Sequence, residues 1–219
     1  VHIQSSALSG FLSAIVESMV SGGGYNSSVE EQAEAVRLLA GATDVESAQM
    51  LEELDALLDA VAAHAEAATF RSASVEDARD WLRADAELAP RFEAFLARHG
   101  HRGYRELCMR DPAWRDDLTP LIQSMQAAVQ GRLQAGSQHS LQTPSIDWNS
   151  LSRGLRWILP KAHNAIRRRE HTKSQLVEVA YHFKCAFRHL GELLVAEGQL
   201  PDADLLCFFS FSELAGFVA

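Results

Sequence analysis

"NSLSRGLRWILPKAHNAIRRREHTKSQLVEVAYHFKCAFRHLGELLVAE" (149–197) sets the architecture of this chain. Apolar residues recur in it at steps of three and four: Leu155, Leu159, Ala162 and Ile166, then Leu176, Ala180, Phe183, Phe187, Leu190 and Leu194. That is the period of one face of an α-helix. The stretch predicts a single long helix, kinked at Pro160 and closed by Gly198. Between Ile166 and Leu176 the same stepping lands on Arg169 and Lys173, where an amphipathic helix should be apolar. A buried cation costs several kcal/mol unless it is paired or faces water, on the order of magnitude known for buried ions. Three explanations stay open: the helix protrudes there and the cations are solvated, an internal carboxylate pairs with them, or they line a cavity that receives an anion such as phosphate. Glu170 lies beside them, able to orient a cation or to take a proton from a hydroxyl.

Around this helix, the rest of the chain also reads as helix. Residues 2–20 form one amphipathic segment, followed by a Gly-rich break over 21–28. Ser28 with Glu31 is a capping box opening a helix over 29–41, and Asp44 is placed to cap another over 45–68. Ser74 with Asp77 opens a helical stretch over 75–99 with a bend expected at Pro90. A loop over 99–120 precedes a helix over 120–134, and 135–147 is rich in loop formers. Leu205–Phe209 is a continuous apolar run that suits a short buried strand, and Ser212 is placed to cap a last helix. The expected class is all-α, a multi-helix bundle-like domain with one long C-terminal helix and a short strand near 205–209. The expected division is an N-terminal helix and break over 1–28, then one helical region over 29–219.

Composition narrows the function. The chain has 219 residues, is 47% hydrophobic and carries a net charge of −9, which argues against a general nucleic-acid binder. Three cysteines with no CxxC spacing fit free thiols in a reducing cytoplasm. Residues 7–20 have no basic leader and are interrupted by Ser and Glu17, so neither a signal peptide nor a membrane span is expected. The chain starts with Val and ends at Ala219 within a helical pattern, as a piece of a longer protein would. Nine histidines include no HExxH, and His182 and His189 lack a third ligand at metal spacing, so no metal site is expected. No Walker loop, GxGxxG or GxSxG is present.

The second constellation is Gly100-His101-Arg102-Gly103, followed by Glu106. Two glycines let the backbone come close to a partner and expose the side chains between them. Arg102 is a candidate phosphate contact; His101 is a candidate acid, base or donor, or simply a helix-end cap.

Two blocks resemble one family in order. "FEAFLARHGHRGYRELCMRDPAWRDD" (92–117) is similar to a segment of the rifampicin phosphotransferases and related phosphoenolpyruvate-synthase-like, PEP-utilising proteins. "RRREHTKSQLVEVAYHFKCAFRHLGELLVAEGQLPDADLLCFFSFSEL" (167–214) resembles the Arg-Glu-x-x-Lys helix of that family, continuing through Leu-Gly and a Gly-x-Leu turn into an aromatic strand and a Glu-Leu helix. The likeness is good over 92–118 and 160–216, loose over 30–90, and absent over 1–28 and 130–150. Asp116 stands where Glu is more usual after the tryptophan. The resemblance implies a three-part, ATP-dependent, dikinase-type kinase. An ATP-grasp domain binds ATP with Mg, a swivelling domain carries a phosphorylated histidine, and a helical region binds a small-molecule acceptor. This chain resembles the helical region alone. His139 is the nearest look-alike of the swivelling histidine but has Gln138 before it and lies in a Gln/Ser-rich stretch. Carried over, Arg169 and Lys173 hold the transferring phosphoryl group, Glu170 assists the acceptor or anchors a cation, and His101, Arg102 and Glu106 bind substrate. The alternatives are a non-catalytic helical interaction module and a degenerate homologue that keeps the fold without the activity.

Overall fold

A computed structural model describes residues 1–23, 27–42, 45–135 and 146–218. Every regular element among them is helical. In chain order they are α1 (His2–Val20), α2 (Val29–Ala40), α3 (Glu46–Ala63), α4 (Ala67–Ser72), α5 (Val75–Ala84), α6 (Leu88–His99), α7 (Thr119–Ala135) and α8 (Arg153–Ala196). A 3-10 helix (Ala203–Phe208) and α9 (Phe211–Val218) follow. Asp44 as a cap, His139, and most of the loop-rich stretch over 135–147 lie outside the described residues.

Local chemistry explains the boundaries. Ser28 Oγ accepts from Glu31 N at 3.1 Å while Glu31 Oε2 accepts from Ser28 N at 2.7 Å, the reciprocal capping box that opens α2. Ser74 Oγ accepts from Asp77 N at 3.1 Å to open α5. The helix expected over 75–99 is two helices, and the break falls at Asp85 rather than Pro90. The Asp85 carboxylate accepts from Glu87 N and Leu88 N at 2.9 and 2.8 Å and starts α6. Pro90 then lies in the first turn, where a missing N–H costs nothing. The helix expected over 45–68 likewise ends at Ala63, and α4 restarts at Ala67. Gly198, at φ +73, closes α8 in a conformation L side chains rarely adopt.

The strand expected at 205–209 is not formed. Asp202 caps a 3-10 turn by accepting from Asp204 N at 2.9 Å. The turn buries Leu206 and leaves Leu205 and Phe208 outside. No second strand is at hand among the described residues to pair with an extended 205–209. The cap of α9 is Ser210, not Ser212: Ser210 N donates to Glu213 Oε2 at 2.7 Å, and Ser210 Oγ accepts from Glu213 N at 3.4 Å.

The chain divides into two compact units: residues 1–56 with 135–175, and residues 57–134 with 176–219. In the first, Val16, Leu38, Leu151, Leu155, Ile158, Leu159 and Ala162 form one core, flanked by Leu12, Ile15 and Ile146. A ring nitrogen of buried His163 bonds Leu38 O at 2.8 Å, fixing α2 to α8. By length and apolar composition alone, α1 would also suit a membrane span. Here its Val16 is closed against α8 in that core. In the second unit Phe70, Leu82, Leu88, Phe92, Leu121, Ile122 and Met125 are buried. Gln126 Nε2 donates to Phe70 O and Ala73 O, both at 2.9 Å, which ties α7 to the end of α4. A satellite of Leu194, Leu200 and Leu206 gathers Phe187, Leu190, Phe209 and Leu214.

Candidate functional site

The Gly-His-Arg-Gly loop belongs to the second unit. Gly100 ends α6, its N–H bonding Leu96 O at 2.9 Å. The chain then turns back on itself: Trp114 N donates to Arg102 O and Arg115 N to Gly100 O, both at 2.8 Å. A Cβ on Gly103 would stand 3.0 Å from Pro112 O and 3.3 Å from Ala113 Cα. The close approach that the glycines permit is therefore, at Gly103, an approach of the chain's own 112–115 segment.

The side chains between the glycines differ. Arg102 is buried and its guanidinium lies 3.6 Å from Glu106 Oε1, an arrangement that organises the loop from within. His101 is half-buried, and its Nε2 is buried without a hydrogen-bond partner among the described residues. Burial, and then the charge of Arg102, push the His101 imidazole below its ordinary pKa, while Glu178 and Glu106 act in the opposite sense. Arg105, at φ 53, is a non-glycine residue in the left-handed region. Its guanidinium forks onto Asp111, with Nη2 at 3.1 Å from Oδ1.

The second half of α8 clamps this loop with residues no motif singled out. Tyr181 OH donates to Asp116 Oδ1 at 3.2 Å, Arg188 Nη2 donates to Asp116 Oδ2 at 2.9 Å, and Lys184 Nζ donates to Asp111 O at 3.0 Å. Asp116 Oδ2 also accepts from Ala113 N at 3.2 Å. Burial raises the Asp116 pKa, but the Arg188, Ala113 and Tyr181 bonds outweigh it and hold the carboxyl below its usual range. Burial first, then the Cys185 and Asp116 neighbours, push Tyr181 up to about 12.

These contacts correct the stripe read from the sequence. Beyond Lys173 the buried face of α8 runs through Val177, Tyr181, Lys184, Gly191 and Leu194. Leu176 and Phe183 are exposed, at 40% and 62%. The apolar steps at 176, 180 and 183 imitate a core face one residue away from the real one. The signal that marks the real one is Tyr181, Lys184 and Arg188 at steps of three and four, each reaching the 111–116 loop.

Arg169, Glu170 and Lys173 belong to the first unit. Arg169 Nε and Nη2 donate to Glu170 Oε1 at 3.1 and 2.8 Å, and Ser47 Oγ donates to Glu170 Oε2 at 3.3 Å. Both carboxylate oxygens are thus engaged. Thr172 Oγ1 is tied to α1 through Ser5 Oγ at 2.8 Å and His2 Nδ1 at 3.2 Å. Lys173 is exposed. The structure brings Arg169 together with Glu170, and Arg102 with Glu106; the two groups sit in different compact units. A half-open cleft of about 450 Å³ between α1 and α2 is lined by Glu17, Ser18, Glu31, Gln32 and Val36 and includes none of the expected site residues. Among the described residues no group of three or more His, Cys, Asp or Glu converges to hold a metal.

No curated protein and no solved structure matches the chain. A family model, the rifampicin phosphotransferase fourth domain, matches residues 2–170. The match takes in α1, where the sequence resembled nothing nameable, and stops at Glu170, short of most of the second resembling block. It spans the Gly-His-Arg-Gly loop, the 112–116 return segment and Arg169. The chain belongs to the rifampicin phosphotransferase fourth-domain family, and is thus one domain of a multidomain phosphotransferase.

Proposed function

We propose that this domain is the acceptor-binding helical region of an ATP-dependent, dikinase-type phosphotransferase. It takes up the phosphoryl group from a phosphohistidine on a separate swivelling domain, and an ATP-grasp domain of the same protein charges that histidine from ATP and Mg. The observation that carries the reading is the arrangement at the end of the family match. An arginine guanidinium is held by a largely buried carboxylate, and a free lysine ammonium follows one turn later. With Nε and Nη2 already donating to Glu170, Arg169 keeps only the outer edge of its guanidinium for phosphoryl oxygens, and Lys173 adds a compact charge. Such cations stabilise the charge that spreads over those oxygens during transfer. With Oε1 on Arg169 and Oε2 on Ser47, Glu170 serves as the anchor of the cation rather than as a base for the acceptor.

In the second unit, His101 is the group suited to touch the acceptor. Its Nε2 is buried without a partner, so it meets a hydroxyl only when the loop around it opens, and it then accepts from or donates to that hydroxyl. Arg102 and Glu106 act through it, shaping the loop that carries it. The exposure of Lys173 also fits a second reading, a helical interaction module without catalysis.

Rifampicin, the acceptor in the family's name, is the first to assay. In the full-length protein with ATP, phosphorylated rifampicin is followed by mass spectrometry. His101→Leu, which removes the ring nitrogen without adding a polar group, is expected to raise KM for the acceptor about tenfold, the order of magnitude of one lost hydrogen bond, with single-turnover formation of AMP from ATP in the absence of acceptor unchanged. Unchanged kinetics in that variant, or no phosphorylation of any hydroxyl acceptor by the wild type, overturns the reading.

A further inference from the structure

The segment 153–173 carries seven of the chain's 20 Lys and Arg residues and one of its 29 Asp and Glu. The segment is therefore +6, while the remainder of the chain is −15. No acidic residue occurs between Asp147 and Glu170. Folding arranges much of this charge on one face. Arg153, Arg156, Trp157, Lys161 and Arg168 are all exposed, and their spacing places them on the side of α8 opposite to Leu155, Ile158, Leu159 and Ala162. Arg153, Arg156, Lys161 and Arg168 make no ion pair with any described residue, although the chain is rich in carboxylates. Trp157 is 66% exposed in the middle of the stripe, with Lys161 Nζ 3.6 Å from its ring centroid.

We propose that this face of α8 is a docking surface for a carboxylate-rich patch on a folded protein. An exposed tryptophan among arginines is the composition of an interface anchor, not of a solvated helix face. The lysine stacked on one side of the indole holds the ring for contact on the other. Charge complementarity selects the partner, and the extent of the stripe selects its class. From Arg153 to Arg168 the stripe runs about 22 Å at the rise of an α-helix. A polymeric phosphate backbone or an anionic bilayer extends well past that length and would meet the rest of the first unit, where ten Asp and Glu stand against one Arg and whose repulsion reaches about 8–10 Å in ordinary salt. A bounded acidic patch on a protein meets only the stripe. This surface is distinct from Arg169 and Glu170, whose charges are already engaged with each other, and it does not depend on the acceptor-binding reading.

The test uses the 219-residue chain and three probes: a 15-residue Glu-rich helical peptide, a 15-nucleotide oligothymidylate, and vesicles containing phosphatidylserine. Binding is read from the fluorescence change of Trp157, with Trp157→Phe identifying its share of the signal. The peptide is expected to bind, to weaken about tenfold between 50 and 200 mM salt, the trend for exposed charges, and to lose at least tenfold in Arg153→Gln/Arg156→Gln/Lys161→Gln. Circular dichroism should show that this triple variant keeps its helix content, because all three residues are exposed. Equal peptide binding by the triple variant overturns the proposal. So does tighter binding to the oligonucleotide or the vesicles, or self-association of the chain that the triple substitution abolishes, which would make a second copy the occupant.

Discussion

Asp116 joins the loop after Gly103 to α8, and Asp116→Asn perturbs that joint with almost no change in shape. The carboxylate accepts three bonds: Tyr181 OH on Oδ1, and Ala113 N and Arg188 Nη2 on Oδ2. An asparagine keeps one oxygen and turns an NH2 group toward at least one of those donors. The misplaced donor costs about 1–2 kcal/mol. Loss of charge opposite Arg188 adds about 1 kcal/mol, taken low because that arginine is 41% exposed. The low end of that sum, about 2 kcal/mol, corresponds to about a 30-fold increase in the population of the opened loop. Hydrogen exchange reads it directly, because Trp114 N and Arg115 N bond across this loop to Arg102 O and Gly100 O. Both amides are expected to exchange about 30-fold faster. The Tyr181 phenol, followed at 295 nm, is expected to ionise below its wild-type value of about 12. The pH dependence has a definite sign. Because the folded Asp116 pKa is depressed, its contribution is present above the ordinary carboxylate pKa and is lost as pH falls through the folded value. Asp116→Asn should abolish that acid-side loss. Exchange within threefold of wild type, with Tyr181 ionisation unmoved, would refute the clamp.

Other perturbations bear on neighbouring points. Gly103→Ala pushes a methyl against Pro112 O and Ala113 Cα, and should cost about 1–3 kcal/mol in a urea melt. Ser28→Ala removes the capping box of α2 and should cost about 1 kcal/mol, seen as faster exchange of the first-turn amides of α2. His101 has a lowered folded pKa, so the unfolded chain binds its proton first as pH falls below about 6.5, the ordinary imidazole value. Wild-type protein should therefore lose stability between pH 7 and 5, and His101→Gln should show a flatter dependence in urea midpoints. An identical slope in the variant would remove the burial argument for His101.

Much of the fold is legible in the residues because its signals are local. Ser28 with Glu31, Ser74 with Asp77, and Gly198 each satisfy or end a backbone ladder within a few residues, and each does in the structure what its spacing suggests. The features that escape local reading depend on tertiary partners. Leu205–Phe209 has the composition of a strand, but a strand needs a neighbour, and Asp202 closes a 3-10 turn first. The face of α8 beyond Lys173 is misread because its buried positions include Tyr181 and Lys184, polar residues that only the 111–116 loop makes acceptable inside. The candidate site divides in the same way. Gly-His-Arg-Gly stands out as a motif, yet the burial of Arg102 and the orphaning of His101 Nε2 come from the return segment, distant in pattern though near in sequence. The pairing of Arg169 with Glu170 is a neighbour effect, but Ser47, which holds the other carboxylate oxygen, lies 123 residues away and gives no sequence signal.

Separating the two half-reactions in the full-length enzyme puts the acceptor-binding role to the test. The histidine domain is first phosphorylated from ATP, excess ATP is removed, and transfer to the acceptor is followed in a single turnover with wild type and with Lys173→Ala. The phosphoryl-holding role predicts that histidine phosphorylation proceeds at the wild-type rate while transfer slows about 100-fold or more, the usual order for removing one charge-stabilising donor. Transfer at the wild-type rate in Lys173→Ala would contradict it.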